Sequence, residues 1–353
     1  MERLISADSH VKTSHEDVKQ HLAARYHDEY DAAVAAQAQH EKELMAGGVR
    51  SARMEFKHEA WGRPGHSDPY ERLKDMDRDG VEVEVLYCEV SAFRYFYRMK
   101  DGWRAAARAF NDTLEDFAAV NNKRLLVSYQ VPLGDIDYAV AEVQRLAAAG
   151  ARSVHLPNYP NELGLPEYYD PSYDRLWSAL QETGIPISQH LAVKETLYDV
   201  FRRDPTPQKG IFTSQPAMML AETIGFWILP GILERFPRLK IVFVEPGLMW
   251  VPYYLDKIDR FMSEGAYQFP AIKELPSFYF HRQMALTFMD DARGLRQRHD
   301  IGIDNIMWST DYPHPATTWP HSCESIARQF QGVPDNERQL MTCGNAARFY
   351  GLS

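Results

Sequence analysis

Short apolar runs alternate along the chain with longer stretches in which apolar residues recur every three or four positions. Eight runs stand out: RLIS at 3–6, VEVEVLY at 81–87, LLVSYQV at 125–131, SVHL at 153–156, IPIS at 185–188, LKIVFV at 239–244, QMALTF at 283–288 and NIMW at 305–308. Runs of this kind suit strands covered on both faces, because such strands have no side that must be polar. Between them, AAARAFNDTLEDFAAVNNK, IDYAVAEVQRLAAAG and DPSYDRLWSALQETG have the period of helices with one apolar face. The last two end in Gly150 and Gly184, suited to the left-handed turn that closes a helix. The alternation predicts a parallel sheet covered by helices, and the count of strands favours a closed (β/α)8 TIM barrel over an open doubly wound sheet. No GxGxxG or GxxxxGKS/T motif follows any run, so the open, nucleotide-binding alternative has no support.

One interruption is large. Residues 12 to about 67 separate the first run from the helix-like DPYERLKDMDRDG, far more than an ordinary strand-to-helix loop. Within them, SHEDVKQHLAARYHDEYDAAVAAQAQHEKELMAGG reads as charged helix. An insertion at this end of a barrel strand lies over the barrel mouth, as a lid or substrate-shaping element, or else as a solvated decoration or subunit contact. The remaining pattern is expected to form one barrel domain over 1–353, since 353 residues at 45% hydrophobic content suffice for a core of that size.

Charge and cysteine content narrow the function classes. A net charge of −10 without a basic stripe argues against nucleic-acid and anionic-membrane surfaces, because neither polyanion is attracted to such a protein. Cys88, Cys323 and Cys343 are odd in number and lack CxxC spacing, which disfavours a disulfide framework or thiolate zinc site and fits a reducing cytoplasm. They read as small buried residues. The opening MERLISADSH lacks the order of a secretory signal, and no run is long enough to cross a bilayer. The expectation is a cytoplasmic protein acting on a small molecule.

In a barrel, chemistry sits at the C-terminal strand ends. LISADSH places Asp8 and His10 there, two apart on an extended backbone and so on one face. IPISQH supplies His190, IVFVEPG supplies Glu245 and IMWSTD supplies Asp311. Carboxylates gathered at one mouth repel and raise one another's pKa, a difficulty that a bound cation removes. Imidazoles and carboxylates without sulfur suit zinc, manganese or iron.

At this point the chain resembles the amidohydrolase superfamily, in the branch related to aminocarboxymuconate-semialdehyde decarboxylase. The resemblance runs through SADSH, MDRDGVE, YYDPSYDRLWSALQETGIPISQH, LERFPRLKIVFVEPGLMWVP, MWSTDYPHP and GNAARFYG. It implies a (β/α)8 barrel and a divalent metal held by Asp8, His10, His190 and Asp311. Related enzymes decarboxylate aromatic or muconic acids without oxidation, or hydrolyse amide, lactone or C–C bonds, and usually pair as homodimers. The chain departs from this pattern in two places. Asp8 stands where Glu or His is common, and Glu245 stands where the decarboxylases carry a histidine that acts on substrate or water. The Glu form, as in EPGLMW, is similar to a sub-branch that includes dinuclear nonheme oxygenases.

Three roles for Glu245 follow: a general base toward metal-bound water, a further ligand that helps hold a second metal, or a brace for the 246–253 loop. Two metals would neutralise Asp8, Glu245 and Asp311 better than one, and an oxygen-rich dinuclear site favours manganese or iron. His314, between Pro313 and Pro315, lies on a stiff turn and is a candidate catalytic or substrate-binding group. His155, Asn158, Tyr159 and Trp319 are candidate substrate contacts, whereas Trp250 and Trp308 read as packing. His58, His66, His281 and Arg282 are further groups that could reach the mouth. The leading expectation is a metal-dependent hydrolase or decarboxylase of a small organic acid or aromatic compound. The rival is a dinuclear iron or manganese/iron oxygenase on the same residues. A non-catalytic subunit fits less well, because the ligand pattern is intact.

Overall fold

The structure is a computed structural model that describes residues 3–46, 61–88, 92–207 and 209–352. Each apolar run becomes a strand: β1 (Leu4–Val11), β2 (Val81–Cys88), β3 (Leu125–Gln130), β4 (Ser153–His155), β5 (Ile187–His190), β6 (Ile241–Val244), β7 (Met284–Phe288) and β8 (Ile306–Trp308). Neighbours pair in parallel in the order β1 to β8. The circle is joined between β1 and the residues just past β8. There Asp311 donates its backbone N–H to the Asp8 carbonyl at 2.9 Å, and His10 donates to that of Tyr312 at 2.6 Å. The seam of the TIM barrel therefore runs through two of the strand ends singled out above.

The barrel interior combines Ile5, Val83, Val85, Val242 and Met307 with Phe349 and Tyr350 of the terminal helix Asn345–Tyr350. That helix closes the bottom, because Asn345 donates to the carbonyls of Ile303 and Ile306 at the start of β8. Above it lies a layer of hydroxyls: Ser128 to Ser153 at 2.7 Å, Ser153 to Ser188 at 2.8 Å, and Tyr87 to Ser188 at 3.1 Å. Each hydroxyl partners the next, so this polar layer is buried without orphaned groups. Gln130, His155 and His190 each lie two residues further along their strands, on the same inward face and nearer the mouth.

The insertion is helical over His15–His21 and His27–Leu44, broken around the short turn Ala24–Tyr26. Residues 47–60, and with them His58, lie outside the described residues. The Glu29 carboxylate accepts the backbone N–H groups of Lys100, Asp101 and Gly102 at 2.6, 2.8 and 2.9 Å. Arg98 donates to Gln37 at 2.7 Å, and His40 Nε2 lies 2.9 Å from Glu195. Residues 98–102 follow β2 and Glu195 follows β5, so the insertion bridges loops of the mouth, as an element in that position should.

Helix Pro69–Asp79 docks beside β1 and β2 through a buried ion pair. Arg72 Nη1 lies 3.4 Å from Glu84 Oε2, with both side chains buried. The same guanidinium donates to the His10 carbonyl and lies 4.3 Å over the Tyr312 ring. Glu84→Gln would leave the Arg72 charge buried without its counter-ion, and the expected loss is about 3–5 kcal/mol. Denaturant unfolding checks this. Replacing Arg72 and Glu84 together by apolar residues should cost less than the single change.

Candidate metal centre

Asp8, His10, His190 and Asp311 meet at the mouth, each no more than 2% exposed. His190 Nε2 lies 3.3 Å from Asp8 Oδ1, and His10 Nε2 lies 4.0 Å from the same oxygen and 3.1 Å from Asp311 Oδ1. His314 adds Nδ1 at 3.4 Å from Asp311 Oδ2, with its ring stacked on His10 at 5.1 Å. Two groups thus have ligand atoms within 4.8 Å of one another: Asp8, His10 and His190, and His10, Asp311 and His314. Among the described residues Glu245 joins neither group.

The donor set fits a divalent cation. Asp8 Oδ2 is buried with no hydrogen-bond partner among the described residues, and the neighbouring donors are nitrogen and oxygen only, as zinc, manganese and iron accept. His190 Nδ1 lies 3.0 Å from the Leu191 carbonyl, so it donates there and aims Nε2 at Asp8. Burial alone would lower the His190 pKa, but the charge and hydrogen bond of Asp8 raise it to about 10. The field that favours a proton on Nε2 also favours a metal ion, which would displace that proton.

Backbone conformation marks the same place. Among the described residues, three non-glycine residues hold positive φ: Lys209 at 53°, Glu245 at 66° and Asp311 at 55°. Two of these end barrel strands, and such conformations persist where surrounding structure imposes them, often at functional sites. Asp311 is held by the seam bond to Asp8, and Glu245 by its N–H to Thr287 Oγ1 at 2.7 Å. Beneath Asp311, Thr310 Oγ1 lies 3.1 Å from Ser6 Oγ and 3.0 Å from Ser9 Oγ, bracing the seam. Burial and then the Asp311 charge raise the Glu245 pKa to about 8, with Asp8 adding to the effect and His190 and His10 opposing it.

The other candidates divide. His155 is buried, its Nδ1 2.7 Å from the Gln130 amide nitrogen; burial, then the charges of His190 and His10, lower its pKa to about 3 and keep it neutral. Asn158 donates to the His190 carbonyl at 2.6 Å, and Tyr159 is buried with Lys194 5.4 Å from its ring centre. Trp319 is occupied elsewhere: its indole N–H donates to the Asp75 carbonyl at 3.1 Å, and Arg63 lies 4.7 Å over its ring. Trp308 is fully buried, and Trp250 donates to the Pro246 carbonyl at 2.9 Å, both in packing positions. His66 is also buried, and Trp61 spans from it to His314 with ring centres 5.9 and 5.6 Å apart. His281 and Arg282 do not reach the mouth. They precede β7, where Arg282 donates to the Leu233 carbonyl and the His281 carbonyl accepts from Asn305, at the opposite end of the barrel.

Sequence reasoning missed Arg72, Gln130 and Trp61. For the first no signal existed, because its partner Glu84 continues the phase of the exposed Glu82 in VEVEV and so reads as a surface charge.

A closed barrel with imidazole and carboxylate donors collected at its C-terminal mouth has the architecture of a metal-dependent hydrolase. The amidohydrolase family matches residues 8–352, and the chain belongs to that family. It is similar to gamma-resorcylate decarboxylase of Rhizobium radiobacter, 28% identical over 268 residues that cover 69% of this chain and 76% of the relative. It is also similar to 2-amino-3-carboxymuconate-6-semialdehyde decarboxylase of Dictyostelium discoideum, 22% identical over 291 residues, 81% of this chain and 77% of the other. Among solved structures, 5-carboxyvanillate decarboxylase of Novosphingobium aromaticivorans, complexed with manganese and a nitrobenzoic acid, matches with a TM-score of 0.75 and 19% identity over 99% of this chain and 96% of that one. No helix among the described residues is long and apolar enough to cross a membrane.

Proposed function

We propose that the chain is a metal-dependent carboxy-lyase that releases carbon dioxide from a small organic acid, aromatic or unsaturated, without oxidation. The observation that carries this reading is a buried cluster of nitrogen and oxygen metal donors at the barrel mouth, with the Glu245 carboxyl directly after β6, the strand that pairs with the His190 strand. A divalent ion held by Asp8, His10, His190 and Asp311 would supply positive charge that fixes the acid's oxygen atoms and stabilises the charge that develops.

In this reading Glu245 gives its proton to the carbon that loses the carboxylate. The electron pair of the breaking C–C bond becomes the new C–H bond, carbon dioxide departs, and Glu245 regains a proton from solvent. A neutral carboxyl is the form this step needs; burial favours it, while a bound cation would offset the repulsion from Asp311. His314, less buried than the others and stacked on His10, stands where it can order the substrate or hold the metal environment. Asn158 and Tyr159 follow β4 and offer further polar contacts. The decarboxylase relatives and the manganese in a structure of the same fold support the reading.

Dialysis against a chelator should abolish carbon dioxide release from hydroxybenzoates, and manganese should restore it. Full activity in metal-free protein would sink the reading, and a product containing the elements of water would indicate hydrolysis instead.

A second reading, a dinuclear oxygenase, is favoured by one observation: the two ligand groups overlap, sharing His10. It predicts two iron or manganese ions per chain in anaerobically prepared protein and oxygen uptake matched to product. One ion per chain with full turnover under nitrogen would reject it.

A further inference from the structure

Gln130 and His155 are register partners on β3 and β4. The backbone of Gln130 is fixed at both ends, because its N–H donates to Asn111 Oδ1 and its carbonyl accepts from Asn111 Nδ2, each at 2.9 Å. Its amide nitrogen lies 2.7 Å from His155 Nδ1. An amide NH₂ only donates, so Nδ1 must accept and the single proton of the neutral ring sits on Nε2. The sides of the ring are apolar: Phe93 and Tyr87 meet it edge-on at 5.5 and 5.9 Å, and Tyr87 in turn meets His190 at 5.3 Å. Nε2 has no hydrogen-bond partner among the described residues, and His155 belongs to neither ligand group.

A donor fixed in one tautomer on a ring that is otherwise buried is suited to a ligand that supplies the acceptor. Just past β4, Asn158 Oδ1 and Tyr159 OH are buried without a partner among the described residues. Three unmatched polar atoms following one strand form a recognition surface.

We propose that His155 is a fixed, neutral hydrogen-bond donor to a substrate oxygen, and that Gln130 sets its tautomer. The proposal rests on the reading above only in taking the substrate to be a small organic anion. A neutral donor on β4, the strand beside the one that carries His190, would orient such an anion without adding charge that would compete with the metal for its oxygens. Gln130 is a positioning residue and does not itself touch the substrate.

Imidazole nitrogen spectra of zinc-loaded protein test the tautomer. The expected result is an unprotonated Nδ1 and a protonated Nε2 on His155, and the reverse pattern would overturn the proposal. In Gln130→Glu the carboxylate accepts instead, so the proton should appear on Nδ1. Calorimetric titration with benzoate and 2,6-dihydroxybenzoate tests the donation. His155→Phe should weaken binding at least tenfold with zinc content unchanged. Binding within twofold of wild type, or failure of both anions to bind wild type, would overturn the proposal. His155-dependent binding without carbon dioxide release would support it while defeating the decarboxylase reading.

Discussion

Replacing His10 with alanine is expected to remove the bound metal and with it turnover. His10 is the residue common to both ligand groups, with Nε2 between Asp311 at 3.1 Å and Asp8 at 4.0 Å. Loss of a residue that only orients a ligand costs about 10- to 100-fold in metal affinity or activity, and loss of a ligand should cost more. The fold should survive, because what His10 gives the seam is its backbone. Its N–H bonds to Tyr312 and its carbonyl accepts from Arg72, and alanine keeps both groups. Metal analysis after dialysis, with circular dichroism as the control, checks the outcome. A folded His10→Ala protein with full metal content and wild-type turnover would refute the assignment of this cluster.

The second large effect is expected at Glu245. A general acid contributes typically about 10²–10⁴-fold, and Glu245→Gln keeps the shape while removing the proton. Turnover should fall by that order with metal content intact. The pH profile gives an independent reading. If neutral Glu245 is the working form, wild-type activity falls on the alkaline side as the carboxyl ionises, and the residual rate of Glu245→Gln lacks that limb. Loss of metal from Glu245→Gln would instead make the residue a ligand, and an unchanged rate with metal in place would leave it as a brace for the 246–253 loop.

The barrel was legible because parallel strands covered on both faces are mainly apolar, and each of the eight runs became a strand. Strand ends were legible for the same reason: Asp8, His10, His190 and Asp311 are the ionisable residues at which those runs stop, and the structure brings them together. What separates Glu245 from the ligand groups depends on where the backbone turns after β6, and residue spacing does not encode that turn. Its left-handed conformation has no composition signal, since glutamate is not a residue that prefers it. The Arg72 and Glu84 pair was hidden differently. Each residue looks like a surface charge in its own element, and only the docking of helix Pro69–Asp79 against β2 buries both. The insertion was read as helical and is so over His15–His21 and His27–Leu44, with its anchoring points on the loops after β2 and β5 visible only in three dimensions.

The positive φ angles at Glu245 and Asp311 set heat resistance against chemistry. A side chain in the left-handed region costs about 1–2 kcal/mol, less for aspartate than for glutamate, and glycine escapes most of that cost. Selection for thermal tolerance alone would therefore drift toward glycine at 245 first. A glutamate kept at such a position is what the proposed proton role of its carboxyl would require.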